Sequence, residues 1–389
     1  MQVNQIYKIT NTIAKEILGE TAVVKEDLSN VVELGQQFEN LPNGLDNYVR
    51  ALNDHIGRMI FVDRVYSGRA PSVLMDGWEF GSILEKVTAR LPEAQENESW
   101  ELTDGASYDP NIFYKPQISV SFWDKRVTFE VPVSITEKQV KSAFSSVTQL
   151  NAFISMIYTA VANALTIRLD ALIMRTINNF IGETVYADYQ STGLATKSGT
   201  KAVNLLYLYN NRTGTTAAKP LTVDAAMSDP EFIRFAALTM KNYVDYMGVM
   251  STVFNIGGQE RFTPSDRLHW VALSSFINAA DVYLQSDTFH DEYTRLPQAE
   301  TVPYWQGSGV GFDFDSASMV DVKTSGNHDV TATGVLAVMF DRDALGVTNM
   351  DRRVTTNYNP KAEFWNEWHK MDAGYFNDQN ENFVVFFIA

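Results

Sequence analysis

From the residue after Pro132 to the residue before Gly182 the chain contains neither proline nor glycine. No other feature constrains its fold as strongly. Within this stretch Leu150, Phe153, Ile154, Ile157, Tyr158, Val161, Leu165, Leu169, Leu172, Ile173, Ile177 and Ile181 recur at spacings of three and four, the mark of a helix with one apolar stripe. Ser146 and Gln149 suit a capping box, and Gly182 suits the position just past the last turn. The spacing predicts a helix over about 148–181, about 33 residues and roughly 50 Å long. That exceeds the usual globular helix and fits a beam spanning a flat molecule.

A second pattern precedes it. Ile118, Val120 and Phe122 alternate with polar residues, and Val127, Phe129, Val131 and Val133 continue at the same period, which predicts a long strand with one buried face. Residues 58–67 read as an earlier strand. The segment between, from Gly68 to about Pro116, is rich in turn formers and charge, and it carries Trp78, Phe80 and Trp100. A two-stranded excursion with so little core is poorly stable alone; it needs a cover, which a second subunit would supply. The three aromatics are the candidate inter-subunit anchors, since buried aromatics dominate interface energy.

The remaining segments are shorter. Residues 1–57 read as helical pieces, broken at Gly35 and at Pro42–Asn43–Gly44, or as an extended arm. Residues 183–222 read as a connecting loop. Ser228 with Glu231 would box the start of a helix that runs to Gly248. His269–Leu273 and Val335–Asp341 read as buried strands, with a helix capped by Ser274 or Ser275 after the first, and Glu381–Ala389 as a terminal strand. Helices and strands mix without a βαβ repeat, so the expected class is α+β.

Composition removes several functions. Lys and Arg total 31 against 47 Asp and Glu, a formal charge of −16, which argues against a broad basic face for nucleic acid. The chain has no cysteine, so disulfides, thiolate metal sites and a Cys nucleophile are excluded. The N-terminus shows no signal-peptide pattern, and apolar runs such as Phe383–Ala389 fall short of the roughly 20 residues that cross a bilayer; a cytoplasmic site of synthesis is expected. Among five histidines, His55, His269, His290, His328 and His369, no pair has metal-ligand spacing. Gly307, Gly309 and Gly311 lack the third glycine of a dinucleotide fingerprint. Asp313, Asp315 and Asp321 lack the Gly and Glu of a calcium loop. No catalytic residue, cofactor or metal is expected.

The order of these features resembles the HK97-like fold of tailed-phage major capsid proteins, closest in flavour to small podophages of the phi29 type. VDRVYS before the excursion and VTFEVPVSITEKQVKSAF after it look like the edges of an E-loop. LNAFISMIYTAVANALTIRLDALIMRTI looks like a spine helix, HWVALSSFINAADVYLQSD like the strand and helix of an axial domain, and VLAVMFDRDAL with NYNPKAEFWNEWHKMDAGYF like the return to the peripheral sheet. The resemblance implies an N-terminal arm over 1–57, an E-loop with flanking strands over 58–133, a peripheral domain with the spine helix over 134–200, an axial domain over 201–350 and a peripheral return over 351–389. It also implies a structural role: self-assembly through pentamers and hexamers into an icosahedral or prolate head in the host cytoplasm, with scaffolding and portal partners and weak, non-specific contact with double-stranded DNA. An encapsulin-like compartment shares the fold. A carbohydrate-active hydrolase using two carboxylates is the reading from another class.

Overall fold

The computed structural model describes residues 3–19, 24–25, 27–52, 73–75, 84–89, 94, 96–97, 101–115, 117–190, 192–212, 220–285, 299–306 and 313–389. The helices are α1 (Val3–Leu18), α2 (Val31–Asn40), α3 (residues 44–52), α4 (Glu137–Ala143), α5 (Val147–Tyr189), α6 (Leu205–Asn210), α7 (Val223–Ala226), α8 (Pro230–Met247), α9 (Ser274–Gln285) and α10 (Phe314–Ser318). The strands are β1 (Leu74–Met75), β2 (Leu84–Ala89), β3 (Ile118–Trp123), β4 (Arg126–Thr136), β5 (Ala202–Asn204), β6 (Leu268–Leu273) and β7 (Glu300–Val302), followed by β8 (Val320–Lys323), β9 (Asp329–Ala332), β10 (Val335–Asp341), β11 (Leu345–Asn359), β12 (Phe364–Asn377) and β13 (Phe383–Phe387). The class is α+β. The chain forms two compact units: unit 1 is Met1–Glu79, Arg126–Ile173 and Val347–Gly374, and unit 2 is Phe80–Lys125, Met174–Gly346 and Tyr375–Ala389.

The predicted helix is present and longer than its spacing indicated, at 43 residues. Ser146 caps it, accepting from the Gln149 amide at 3.3 Å. The Gln149 side chain takes the Ser145 hydroxyl at 2.6 Å instead of closing the box. Gly182 does not end the helix. A Cβ there would stand 2.2 Å from Val322 Cγ2, so the glycine is required by the close approach of β8, not by a cap. The helix ends about two turns later, where Gln190 turns left-handed at φ +51. Gly35 likewise lies inside α2 rather than breaking it, because a side chain there would meet Phe144 Cβ at 2.4 Å. The break at Pro42–Asn43 is real, with Asn43 at φ +58. By length and composition α5 could cross a membrane, yet Ile154, Val161, Leu165, Leu169, Ile177 and Ile181 are all buried within the chain itself.

Unit 1 is built on the sheet β1–β11–β12–β4. β12 and β4 pair antiparallel from Phe364↔Thr136 to Gly374↔Arg126, so Val131 and Val133 share a face with His369 and Glu367. Phe38, Tyr48 and Phe144 form a helical cluster with ring centroids 4.9 to 5.7 Å apart, and burial pushes the Tyr48 phenol up. Thr136 opens α4 with a full capping box to Gln139.

Unit 2 is built on the sheet β5–β13–β10–β6–β7. β10 and β13 are buried along their whole length. Phe383 stacks on Phe180 of α5 at 4.1 Å and Phe387 meets Tyr189 of α5 at 5.7 Å. Phe386, of opposite parity, meets Tyr243 of α8 at 5.2 Å, so the two helices cover opposite faces of β13. The described residues within 183–222 form more than a connection: α5 runs on to Tyr189, Ala202–Asn204 joins the sheet in parallel with β13, and Asn204 caps α6. The apolar run AVNLLYL drives both. At α8 the cap is Asp229, which accepts from the Phe232 amide at 2.9 Å. Ser228 is not used, and Glu231 pairs with Arg234.

Two outcomes are expected. Leu165→Pro removes a hydrogen bond inside α5 and forces a ring against the preceding turn, a cost of about 3 kcal/mol or more against a total stability of about 5–15 kcal/mol; a soluble variant with wild-type melting would contradict it. Glu367 and His369 are buried, with Nε2 3.7 Å from the carboxylate, and neither carboxylate oxygen nor Nε2 has a hydrogen-bond partner among the described residues. In urea denaturation His369→Leu, which leaves the buried Glu367 carboxyl without its neighbour, should lower stability by about 1–3 kcal/mol, whereas the Glu367→Leu, His369→Leu double variant, which removes both sets of unpartnered polar atoms, should match or exceed the wild type. Equal losses in both variants would show that the pair is needed for the fold.

Candidate assembly surface

β2 and β3 pair antiparallel, from Leu84↔Trp123 through Lys86↔Ser121 and Val87↔Val120. Directly opposed residues share a face, so the hairpin has two unlike sides. Leu84, Lys86, Thr88, Ser119, Ser121 and Trp123 form one. It is held on the rest of unit 2: Trp123 meets Phe376 at 5.3 Å, and Lys86 Nζ donates to Asp378 Oδ2 at 2.8 Å and Glu381 Oε1 at 2.7 Å. Arg261 Nε donates to the same Glu381 oxygen at 3.1 Å. Two cations thus balance two largely buried carboxylates. Burial opposes the charge on Lys86, but its hydrogen bonds to Asp378 and Glu381 outweigh that and hold the amine above the usual lysine range.

Val87, Ile118, Val120 and Phe122 lie on the other side, all exposed, Phe122 at 63%. The periodicity gave these strand residues correctly and their surroundings wrongly. The expected single strand is two, split at Asp124–Lys125. Only the second turns its apolar residues inward, from half-buried Val127 to buried Ile135.

The described stretch 101–115 of the connection also exposes apolar side chains. Its turn is held by polar contacts: the Thr103 amide donates to the Tyr108 hydroxyl at 3.0 Å, and the Asn111 amide to Asp109 Oδ1 at 2.9 Å. Leu102, Tyr108, Ile112, Phe113 and Tyr114 are exposed, Phe113 at 82%. Sequence reasoning passed over this cluster, although the run Ile112-Phe113-Tyr114 in a turn-rich segment was its signal. The anchors it named, Trp78, Phe80 and Trp100, lie outside the described residues.

The other candidates are absorbed by the fold. His269 sits on β6 beside Phe340, 5.7 Å between centroids, and desolvation pulls its pKa down. His328 stacks on Tyr186 at 4.5 Å. Asp313 caps α10 through Ser316, and Asp321 accepts from the Thr331 hydroxyl. His55, His290 and Gly307–Gly311 lie outside the described residues. Among the described residues no group of three or more His, Asp or Glu side chains is placed to hold a metal ion.

No curated protein sequence matches the chain. Solved structures similar to it include the capsid of Staphylococcus phage Andhra (10% identity, TM-score 0.49, 84% of this chain against 86% of that one). The mature capsid of bacteriophage PhiM1 (8%, 0.43, 84% against 88%) and the capsid of cyanophage P-SCSP1u (10%, 0.43, 84% against 88%) are others. The model of the Phi29-like phage major capsid protein family matches residues 10–387, nearly the whole chain, and the chain belongs to that family: it is a subunit of a phage head shell.

Proposed function

We propose that the subunit assembles by laying the open side of its β2–β3 hairpin, with the aromatic turn at 101–115, on another copy of itself. The observation that carries this reading is the pairing of a face anchored through Lys86 and Trp123 with an apolar face left exposed among the described residues. Contiguous exposed apolar surface marks an interaction site, and at about 25 cal/mol per Å² its burial is a strong drive to associate. The contact joins two different surfaces, so it is heterologous; repeated at angles that close, it gives rings and then a shell. In this reading 58–133 is the E-loop with its flanking strands, 1–57 an arm, 134–200 the peripheral domain, 201–350 the axial domain and 351–389 the return, in an HK97-like arrangement. Trp78, Phe80 and Trp100 add anchors along the same excursion. Pentamers and hexamers are the intermediates, assembled in the host cytoplasm with a scaffolding protein and a portal. The role is structural rather than catalytic, and family membership favours a head shell over an encapsulin-like compartment or a hydrolase.

The DNA inside is held loosely. Acids exceed bases by 16, and the Arg353 charge is already taken by Asp372 at 2.7 Å and Asp351 at 3.5 Å. Sequence-independent affinity comes from free Lys and Arg on phosphates, so an acidic wall leaves packaged DNA free to move.

Replacing Val120 and Phe122 together by Ser should cut assembly at least tenfold in sedimentation or negative-stain assays and leave subunit melting within a few degrees of wild type. Normal assembly by this variant would refute the contact. In a gel shift near physiological salt, the free subunit should bind duplex DNA weakly and without sequence preference; tight, sequence-selective binding would point to a recognition role instead.

A further inference from the structure

We propose that Lys86 is a positioning residue for assembly: its clamp on Asp378 and Glu381 fixes the pose in which the hairpin presents its open face. This rests on the reading that the open face is the contact between copies. The hairpin has two strands and no core of its own, and such a unit does not hold its shape or direction alone in water. Among the described residues of its anchored side, only Lys86 and Trp123 are seen to reach the 375–383 segment with their side chains. Trp123 lies at the base, beside the Tyr375 amide that donates to the Lys125 carbonyl. It fixes where the hairpin leaves the body. Lys86, opposite Ser121, grips two residues farther along and removes the remaining freedom to swing about that base.

The receiving side is rigid. Asp378 Oδ1 accepts from the Asn380 amide at 3.0 Å, and the Asp378 amide donates to the Ala344 carbonyl at 2.7 Å. Glu381 is shared with Arg261, whose backbone bridges Ser251 in both directions. Gly257 presses so closely on this turn that a Cβ would stand 2.1 Å from Asn380 Oδ1. Asp378 and Glu381 have side chains 3% and 10% exposed and Lys86 has 21%, so solvent screens these bonds little. Two acids held this close need both cations: without Lys86 they face one arginine, and like charges repel. The chain thus uses a charged clamp on one side of a hairpin to aim an apolar face on the other.

The absence of cysteine allows a direct test on the full chain. Spin labels at Val120→Cys and Leu238→Cys, both exposed positions of unit 2, report the hairpin's pose in the dispersed subunit. The expected result is one narrow distance distribution with Lys86, a distribution at least twice as broad with Lys86→Met, and a narrow one again with Lys86→Arg. The Asp378→Asn, Glu381→Gln double variant removes the same attraction from the other side and should broaden it too, so the clamp is read even where Lys86→Met does not accumulate. Assembly by Lys86→Met should fall at least tenfold, recover with Lys86→Arg, and accompany an unchanged helical circular dichroism spectrum. Unchanged distance widths in both clamp variants would overturn the proposal, as would loss of the helical spectrum, which would make the clamp a core element. The Val87→Ser, Phe122→Ser variant, which strips the same face and keeps position 120 for the label, separates the two readings: no assembly with a narrow distribution supports both. Normal assembly there, with Lys86→Met still broadened, overturns the docking reading and with it the role of the clamp in assembly.

Discussion

A helix as long as α5 needs cover along its whole length, and burial of its apolar stripe is the constraint on which the rest of the structure depends. Helix propensity alone is a small contribution; packing of the apolar side is what makes a long helix stable. Ile154, Val161, Leu165 and Leu169 are buried in the half that belongs to unit 1, and Ile177, Phe180, Ile181 and Val185 in the half that belongs to unit 2. Each unit organises a sheet and several short helices around its own length of α5. In unit 2 the fit is close enough to require a glycine in mid-helix, a residue that costs about 1 kcal/mol relative to alanine there; the approach of Val322 explains its presence.

With the cores assigned to α5, the sheets show where each unit ends and where association begins. The outer strands of the unit 2 sheet, β5 and β7, have three residues each, and so short an edge offers little template for pairing with another chain. In unit 1 the outer strand β4 is long, but Pro132 stands in its middle, which removes a donor from it. The unit 2 sheet and the β4 edge of the unit 1 sheet thus limit adventitious edge pairing. The β2–β3 hairpin is treated differently: Val87, Ile118, Val120 and Phe122 stand open, with exposed Glu85 opposite Phe122 as the charge on that face. Under the proposed contact, blunted edges and an open apolar hairpin face would direct association to that hairpin.

What was legible in the sequence follows from the range of the interaction that sets it. Periodicity is local, so α5, β6 and β10 could be read directly, the last over the same residues, Val335–Asp341. Caps were legible to within a residue: Ser146 was right, while Asp229 displaced Ser228, because either can serve and backbone geometry decides. Glycines at Gly35 and Gly182 were misread, since a local rule takes glycine as a helix breaker and the true cause is Phe144 or Val322, far away in sequence. The hairpin shows the deepest limit. Alternation at Ile118, Val120 and Phe122 reveals an apolar face but says nothing of what covers it. The clamp was invisible for the same reason: Lys86 and its carboxylates are about 290 residues apart in the chain, and no spacing rule spans that distance.

The two kinds of force on this surface act at different ranges, and their difference suits a shell subunit. The net charge of −16 repels like copies over a distance set by the Debye length, about 8 Å at physiological ionic strength. Apolar attraction acts only once faces touch and water leaves. Under the proposed contact this self-repulsion, of the kind that keeps acidic proteins soluble, would oppose association of dispersed subunits until their faces meet. Association starts when concentration or a bound partner brings the faces into contact in the right pose. Pose matters because a heterologous contact closes only over a narrow range of angles, and a hairpin free to swing would bind its neighbour at many. Under the proposed contact a rigid aim is worth more to such a subunit than a larger sticky area, which gives the buried charges under the hairpin a purpose beyond the stability of the subunit.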